Sequence, residues 1–249
     1  MTVHRFFISG IDKTTRTICF PDNIARQIRL VLRLKPDDRV LVLDGLGIEL
    51  KVQLTRITEN ETLGKVLEIQ DEGSTVSASI HLFFPLSKRD KVEWILQKGT
   101  EVGVGVFHPF ISERTLVQKV EASGKKTARR ESIIREAAEQ SRRAHLPDLF
   151  PAEVFDQTVQ TAVDQTDLIL AAWVAEDQRS LKDALTDVDI NTNSIPSIAL
   201  FVGPEGGFSD REITQLKEKG AHTLSLGTSI LRMETAAIVF PALVLHELG

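Results

Sequence analysis

The chain has 249 residues, of which 42% are hydrophobic and 26% are charged, and its formal net charge is −5. This is the composition of an ordinary soluble globular protein, and the length is enough to bury a core without disulfides or metals. The single cysteine, Cys19, excludes an internal disulfide and a thiol-rich metal site, and it favours a reducing, cytoplasmic compartment. The six histidines lack metal-ligand spacing and no apolar run is long enough to span a bilayer, so we expect neither a metal nor a membrane partner.

Basic residues are concentrated in two zones despite the negative net charge. Residues 26–39 hold five basic and two acidic side chains, and residues 119–143 hold eight basic and four acidic ones. Such zones can neutralise phosphates and together predict a polyanionic partner, although each zone alone could simply solvate a helix. The candidate RNA contacts are Arg5, Arg33, Lys35, Arg135, Arg142 and Arg143.

Residues 1–72 are predicted to form a small, mostly antiparallel, β-rich domain, which we interpret as a compact barrel. One helix opens after Pro21, and its apolar spacing predicts that Ile28 and Val31 face inward. The polar stretch 71–74 is the predicted linker. The predicted strands are residues 4–9, 16–20, 39–44, 48–57 and 63–69.

Residues 76–249 alternate between apolar strands and amphipathic helices, which predicts an α/β domain with a largely parallel sheet. Ser209 with Glu212 three residues later has the pattern of a capping box, and Gly220 is the predicted stop of that helix. The predicted strands are residues 80–86, 106–111, 167–173, 197–202 and 222–226. Helices are predicted after the first strand, at residues 129–144, 180–185 and 209–220, and from Glu234 onward.

The loop 203–207, with sequence GPEGG, follows a strand and precedes the capped helix. Ligands bind at the carboxyl ends of parallel strands, and glycines let the backbone approach a ligand closely. A structural turn is an equally good interpretation on spacing alone. The loop is neither a P-loop nor a dinucleotide fingerprint, because the Lys-Ser/Thr pair and the G-x-G-x-x-G pattern are absent.

A second candidate segment, residues 224–237, runs from a strand through a loop into the last helix. Glu234 and Thr235 fall at the predicted helix start, where free N–H groups and the positive dipole end face the loop. Arg232 has no carboxylate partner in the nearby sequence. The structural interpretation is that Thr235 is a cap and Arg232 a surface charge.

These segments resemble the cofactor loops of the SPOUT methyltransferases, and the whole chain is similar to the 16S rRNA (uracil-N3)-methyltransferases of the RsmE type. Several motifs in the family's order make the match specific. They are His4-Arg5-Phe6-Phe7, residues 31–36 (VLRLKP), 91–101 (KVEWILQKGTE), 112–114 (SER), 136–143 (EAAEQSRR), 202–209 and 226–237.

The resemblance implies a PUA-like, RNA-binding barrel over residues 1–72 and a knotted SPOUT domain over residues 76–249. It implies S-adenosylmethionine as cofactor, the small ribosomal subunit as partner, and a homodimer whose interface could involve the last helix. The product would be N3-methyluridine at position 1498 of 16S rRNA in conventional numbering. The cofactor residues implied are Leu200, Gly203, Glu205, Gly206, Leu226, Gly227, Leu231, Thr235 and Ala236.

Methyl transfer to uracil N3 needs loss of the N3 proton, alignment of the reacting atoms, and a cation to stabilise the uracil anion. Arg232 is the first candidate for that cation, and Glu205 or Glu234 for the base, although either could be structural. Two alternatives stay open: a SPOUT enzyme acting on another RNA, and a non-catalytic RNA-binding or ribosome-assembly factor.

Overall fold

The computed structural model describes residues 3–11, 14–71, 78–118, 124–176, 179–186 and 195–249. Its chain divides into two compact units. Unit 1 comprises residues 1–75 together with 138–146, and unit 2 comprises residues 76–137 together with 147–249. The predicted linker, residues 71–74, lies outside the described residues except for Asp71.

Unit 1 contains a five-stranded sheet in the order β1-β3-β4-β5-β2 within the described residues. The pair β1–β3 is parallel and the other three pairs are antiparallel, as the sequence pattern predicts. Alternate side chains such as Val40, Val42 and Leu50 are fully buried on one face of the sheet. The strands are β1 (His4–Phe7), β2 (Thr17–Cys19), β3 (Arg39–Leu43), β4 (Ile48–Ile57) and β5 (Thr62–Asp71).

The helix after Pro21 differs from its predicted form. Helix α1 (Asp22–Arg26) passes into a π-helical turn, Gln27–Val31. The i→i+5 bonding of a π-turn adds a residue to the turn and rotates later side chains away from the α-helical spacing. As a result Ile28 is buried as predicted, whereas the prediction for Val31 is wrong because its side chain is 71% exposed.

Residues 138–146 belong to unit 1 although they follow a long part of unit 2 in the sequence. The Leu146 amide donates to the Gly45 carbonyl at 3.0 Å. Ala138, Ala144 and Leu146 pack with Phe7 and Leu43 in a small apolar cluster. This contribution from a distant part of the chain is not apparent from the sequence.

Unit 2 contains a parallel sheet, as predicted, in the order β12-β10-β11-β6-β7-β8, with β9 also paired to β7. The strands are β6 (Ser79–Pro85), β7 (Val106–Ile111), β8 (Asp148–Leu149), β9 (Glu153–Val154), β10 (Leu168–Ala172), β11 (Ser197–Val202) and β12 (His222–Leu224). The helices are α2 (Arg89–Val102), α3 (Gly124–Gln140), α4 (Phe155–Gln165), α5 (Leu181–Thr186), α6 (Asp210–Glu218) and α7 (Met233–Leu248).

Since the strands of this sheet are parallel, the loops that follow β6, β7, β10, β11 and β12 share one edge. The centre of the sheet is held by stacked aromatic rings, including Phe83 and Phe201 with centroids 4.5 Å apart. Within the described ranges, none of the helices has the length and apolar character needed to cross a bilayer. The same ranges contain no group of three or more His, Cys, Asp or Glu side chains placed to hold a metal ion.

Candidate functional site

A cleft of about 980 Å³ opens at the edge of the unit 2 sheet where the strands end. Its lining comes from the loops after β7, β10, β11 and β12, from Lys91 on α2, and from the start of α7. The two segments predicted from the sequence, 203–207 and 224–237, form much of its wall. The volume is within the range of protein sites for small molecules.

The loop after β11 is shaped by close backbone approaches. A Cβ at position 203 would lie 3.1 Å from the Phe208 ring, and Gly207 has a φ of +70°. The Arg114 guanidinium donates through Nη1 to the carbonyls of Gly206 at 3.0 Å and Phe208 at 3.2 Å. The loop therefore has a fixed shape and presents its backbone to the cleft.

The predicted capping box at the start of α6 is confirmed. The Ser209 hydroxyl accepts from the Glu212 amide at 3.2 Å, and the Glu212 carboxylate accepts from the Ser209 amide at 2.8 Å. Glu212 also accepts from the Glu113 amide at 2.9 Å. One buried carboxylate thus caps α6 and fixes the loop after β7, from which Arg114 reaches the cleft.

The segment after β12 turns at Gly227, whose φ of +125° strongly favours glycine. Arg232 occupies the N-cap position of α7 and makes no side-chain cap hydrogen bond. The interpretation of Thr235 as the cap is therefore wrong, because the helix begins at Met233, two residues before it. Arg232 is exposed, and it forms no ion pair with any described residue.

Lys91 joins the segments 203–207 and 224–237. Its Nζ lies 3.0 Å from Glu205 Oε1 and 3.1 Å from Glu234 Oε2, and Ser87 Oγ donates to Glu205 Oε1 at 2.9 Å. The Lys91–Glu234 contact is an ion pair by distance, and the buried Glu234 Oε2 has no hydrogen-bond partner among the described residues. One lysine on α2 thus faces a carboxylate from the β11 loop and another from the first turn of α7.

Burial alone would raise the pKa of the Glu205 carboxyl. Hydrogen bonds from its own backbone amide, from Lys91 and from Ser87 outweigh that effect, so the pKa of Glu205 lies below its usual value. The hydrogen bond to Glu205 is in turn the main cause of the raised pKa of Lys91. A carboxylate with a lowered pKa is a weak base, which argues against Glu205 as the group that removes a proton.

Seven of the nine residues predicted to bind the cofactor line the cleft: Gly203, Glu205, Gly206, Leu226, Gly227, Leu231 and Ala236. The other two, Leu200 and Thr235, do not. Leu200 is fully buried in β11, two residues before the strand ends, and supports the floor of the cleft from below. Thr235 is exposed on the first turn of α7 without lining the cleft. Cofactor contact by any of the nine stays a prediction.

The predicted catalytic residues lie near one another. Arg232 and Glu205 line the cleft, and Glu234 meets Glu205 through Lys91. Arg114 is a second arginine in the cleft wall, and it donates hydrogen bonds to the backbone carbonyls of Gly206 and Phe208. The cleft therefore has one side where a lysine lies between two carboxylates, and two arginines that form no ion pair with a carboxylate in the described part of the chain.

The predicted RNA contacts differ in their surroundings. The side chain of Arg5 is 13% exposed and pairs with the buried Glu49 at 2.7 Å, and its contact with RNA stays a prediction. Arg33 and Lys35 are exposed after the π-turn, and Arg142 is exposed in residues 138–146. Arg135 and Arg143 are half-buried, and burial lowers the pKa of Arg143 to about 10.

The sequence reasoning missed Lys91, Arg114 and Trp173, which all line the cleft. Lys91 and Arg114 belong to the quoted motifs at 91–101 and 112–114, but no role was apparent for either residue. The usable signal was position, since Arg114 and Trp173 directly follow β7 and β10 and the ends of parallel strands meet at the same edge. Lys91 lies inside α2 and not in the loop that follows β6, so its position relative to the strand ends does not predict that it lines the cleft.

Residues 75–245 match the family model described as RNA methyltransferase domain. A relative from Bacillus subtilis (strain 168), named ribosomal RNA small subunit methyltransferase E, is 32% identical over 84% of this chain and 81% of its own length. The chain belongs to this family. A relative of the same name from Synechocystis is 33% identical over 85% of this chain and 67% of its own length.

Solved structures of the family superpose on nearly the whole chain. Ribosomal RNA small subunit methyltransferase E from Neisseria gonorrhoeae, bound to S-adenosyl methionine, is 29% identical, with a TM-score of 0.82 over 99% of this chain and 98% of its own. A methyltransferase from Legionella pneumophila, in complex with the bound cofactor SAM, is 27% identical, with a TM-score of 0.86 over 99% and 98%. The α/β architecture with a parallel sheet is therefore that of the family.

Proposed function

We propose that this protein uses S-adenosylmethionine to methylate N3 of uridine 1498 in the 16S rRNA of the small ribosomal subunit. Membership of the family supports the reaction and the rRNA substrate. The observation that carries the proposal is the cleft at the strand ends, whose walls are the two segments that resemble the family's cofactor loops.

The volume and glycine-rich lining of the cleft support binding of a bent nucleoside cofactor. A Cβ at Gly203 or Gly206 would lie 3.1 Å from Phe208 or 3.2 Å from Arg114, so neither position has room for a larger side chain. In the proposal the cofactor is held mainly by backbone groups of residues 203–207 and 226–231. When bound, the sulfonium group supplies an electrophilic methyl.

The chain's own residues have two tasks in this reaction. The first is alignment, because methyl displacement is an in-line reaction that gains most from correct positioning of the two reactants. The second is stabilisation of the uracil anion, whose charge spreads over O2 and O4 as the N3 proton leaves to water. Arg232 and Arg114 are the cations in the cleft wall available for that charge.

We assign Glu205 and Glu234 to the ion-pair network with Lys91 and not to proton removal. Lys91 lies within 3.1 Å of both carboxylates, and its hydrogen bond to Glu205 helps to lower the pKa of that carboxyl. The network would hold the two cofactor segments at a fixed separation. This replaces the interpretation of either glutamate as the general base.

The proposal extends to the organisation of the molecule. Residues 1–72 would be a PUA-like RNA-binding barrel, and residues 76–249 a SPOUT domain with its trefoil knot. Five of the six predicted RNA contacts belong to unit 1, since residues 138–146 bring Arg142 and Arg143 into the same unit as Arg33 and Lys35. This grouping supports an RNA-binding role for the unit.

We further propose a cytoplasmic homodimer, in keeping with a single cysteine and a ribosomal substrate. The last helix supports an interface, because Leu243 on α7 remains 37% exposed in the single chain. Light scattering coupled to size exclusion tests the dimer directly. A monomer at micromolar concentration contradicts it.

Calorimetry with S-adenosylmethionine, followed by transfer of an isotope-labelled methyl group to rRNA, tests the proposed reaction. We expect saturable binding and label in 16S rRNA. Binding without transfer to free rRNA or to 30S particles would favour a ribosome-assembly factor, and label in another RNA would favour a different substrate.

A further inference from the structure

Outside the cleft, three arginines surround one carboxylate on the surface of unit 2. Glu93 on α2 accepts from Arg89 Nε at 2.6 Å. It also accepts from Arg129 on α3, through Nε at 2.6 Å and Nη2 at 2.9 Å. Arg130, the next residue on α3, is half-buried and is close enough to Glu93 to feel its charge. We name these four residues the Glu93 cluster.

The guanidinium groups of the cluster face solvent while the carboxylate does not. The side chains of Arg89 and Arg129 are 70% and 54% exposed, whereas that of Glu93 is 21% exposed. An arginine carries five N–H donors, so the hydrogen bonds to Glu93 leave about three free on Arg129 and about four on Arg89. The carboxylate therefore orients two guanidinium groups and leaves most of their donors available.

The charge balance of the cluster favours an anion. Three positive charges surround one negative charge, and the pKa of Glu93 is lowered to about 2, chiefly by its hydrogen bond from Arg129, so the carboxylate stays ionised at neutral pH. Neighbouring residues include the exposed Lys88 and Asp90 and, on α3, Glu136, which interacts with Arg129. Paired guanidinium groups match the bidentate geometry of a phosphate.

The position of the cluster relates it to the cleft. Arg89 and Glu93 each lie two residues from Lys91, which lines the cleft from the same first turns of α2. Residues two apart on a helix face nearly opposite sides, so the cluster lies about one helix diameter, roughly 10 Å, from the cleft wall.

We propose that the Glu93 cluster binds a backbone phosphate of the RNA strand next to the uridine that enters the cleft. The inference rests on the proposed function, and it adds a phosphate contact in unit 2 to those predicted for unit 1. Phosphate contacts fix register without reading sequence. The cluster would thus set which nucleotide reaches the cleft.

The competing explanation is that Glu93 only ties α2 to α3 through a surface ion pair. The two explanations differ for Glu93→Gln. A tie between helices is weakened by E93Q and by loss of the arginines alike. A phosphate site loses affinity only when the arginines are removed, since E93Q leaves all three positive charges in place.

The test is binding of an in vitro transcribed 16S rRNA fragment that contains the target uridine, measured at several salt concentrations. The variants are R89A/R129A, R89K/R129K, E93Q, and K219A as a control for loss of an exposed charge outside the Glu93 cluster. For R89A/R129A we expect a Kd raised by about 10-fold and a log Kd–log salt slope reduced by about one, as for one lost phosphate contact. E93Q and K219A should bind as the wild type does, and R89K/R129K should keep the salt slope.

Adenosylmethionine binding and thermal unfolding of each variant serve as folding checks and should match the wild type. The proposal is overturned if R89A/R129A has the Kd and slope of K219A, or if E93Q weakens binding as much as R89A/R129A does. A wild-type protein that binds neither the fragment nor 30S particles refutes the proposed function itself, whereas normal wild-type binding with an unaffected R89A/R129A variant refutes only this site.

Discussion

Removal of Lys91 should destabilise unit 2 in a pH-dependent way. In Lys91→Met, Glu205 and Glu234 lose the cation that lies 3.0 and 3.1 Å from them and are left facing each other in a partly buried place. Breaking a buried pair costs about 3–5 kcal/mol and breaking an exposed one about 0–1 kcal/mol. The side chains of Lys91, Glu205 and Glu234 are 26%, 28% and 18% exposed, so we expect the substitution to lower the free energy of unfolding by about 1–2 kcal/mol.

For a domain of this size, that cost lowers the Tm by about 2–8 °C. The sign of the pH effect follows from the carboxyl groups. In the wild type the lowered pKa of Glu205 contributes stability above its usual pKa of 4.5, and this contribution is lost as the pH falls through the lowered value. In Lys91→Met, burial without the hydrogen bond from the lysine favours a higher pKa for the Glu205 carboxyl, so protonation on acidification relieves the repulsion.

The assay is thermal unfolding of both proteins from pH 8 to pH 5, with Lys219→Met as a control for loss of an exposed lysine. The Tm difference between wild type and Lys91→Met should be largest near pH 8 and should shrink toward pH 5. In an E205Q/E234Q background, Lys91→Met should cost much less. A Tm difference that is the same at every pH, or is unchanged in that background, would refute the ion-pair network.

Three further predictions concern the cleft and the sheet beneath it. Gly227→Ala should weaken adenosylmethionine binding about 10-fold by calorimetry, because alanine at a φ of +125° is strained by about 1–3 kcal/mol. Gly105→Ala should keep the wild-type affinity, because a Cβ there would have its nearest neighbour at 3.6 Å, and equal affinities of the two variants contradict the prediction. Burial lowers the pKa of His108 to about 3. Below pH 6.5 the imidazole is therefore protonated in the unfolded state but neutral in the folded state, so the free energy of unfolding falls as the pH drops from 6.5 toward 3. His108→Phe should therefore show a shallower fall of Tm between pH 6.5 and 4, and parallel curves would contradict the assignment. Arg232→Met should lower kcat for rRNA methylation by about 100-fold and leave the affinity for adenosylmethionine unchanged. The control Arg211→Met should keep the wild-type kcat, and a normal kcat in Arg232→Met would remove Arg232 from the mechanism.

Local patterns predicted the elements whose determinants are local. The parallel sheet of unit 2 follows from apolar strands that alternate with amphipathic helices, and the Ser209–Glu212 capping box needs only four residues. The edge that carries the cleft then follows from parallel strand direction. For this reason most of the predicted cofactor residues line one cleft.

Predictions failed where the outcome depends on tertiary contacts or on an irregular backbone. The π-turn at Gln27–Val31 exposes Val31, because the period of apolar residues assumes a regular α-helix. The ion pair of Arg5 could not be predicted from its sequence neighbours, because its partner Glu49 is 44 residues away. Lys91 was missed for the same reason, since the carboxylates it meets are more than 100 residues later.

The central claim is tested most directly by mass-resolved nucleoside analysis of rRNA treated with the purified protein and S-adenosylmethionine carrying a labelled methyl group. Free 16S rRNA and assembled 30S particles, both lacking the modification, are the substrates. The account predicts labelled N3-methyluridine, mapped to position 1498, in at least one of them. Labelled methyl at another atom or nucleotide, or no labelled N3-methyluridine in either substrate, would contradict it.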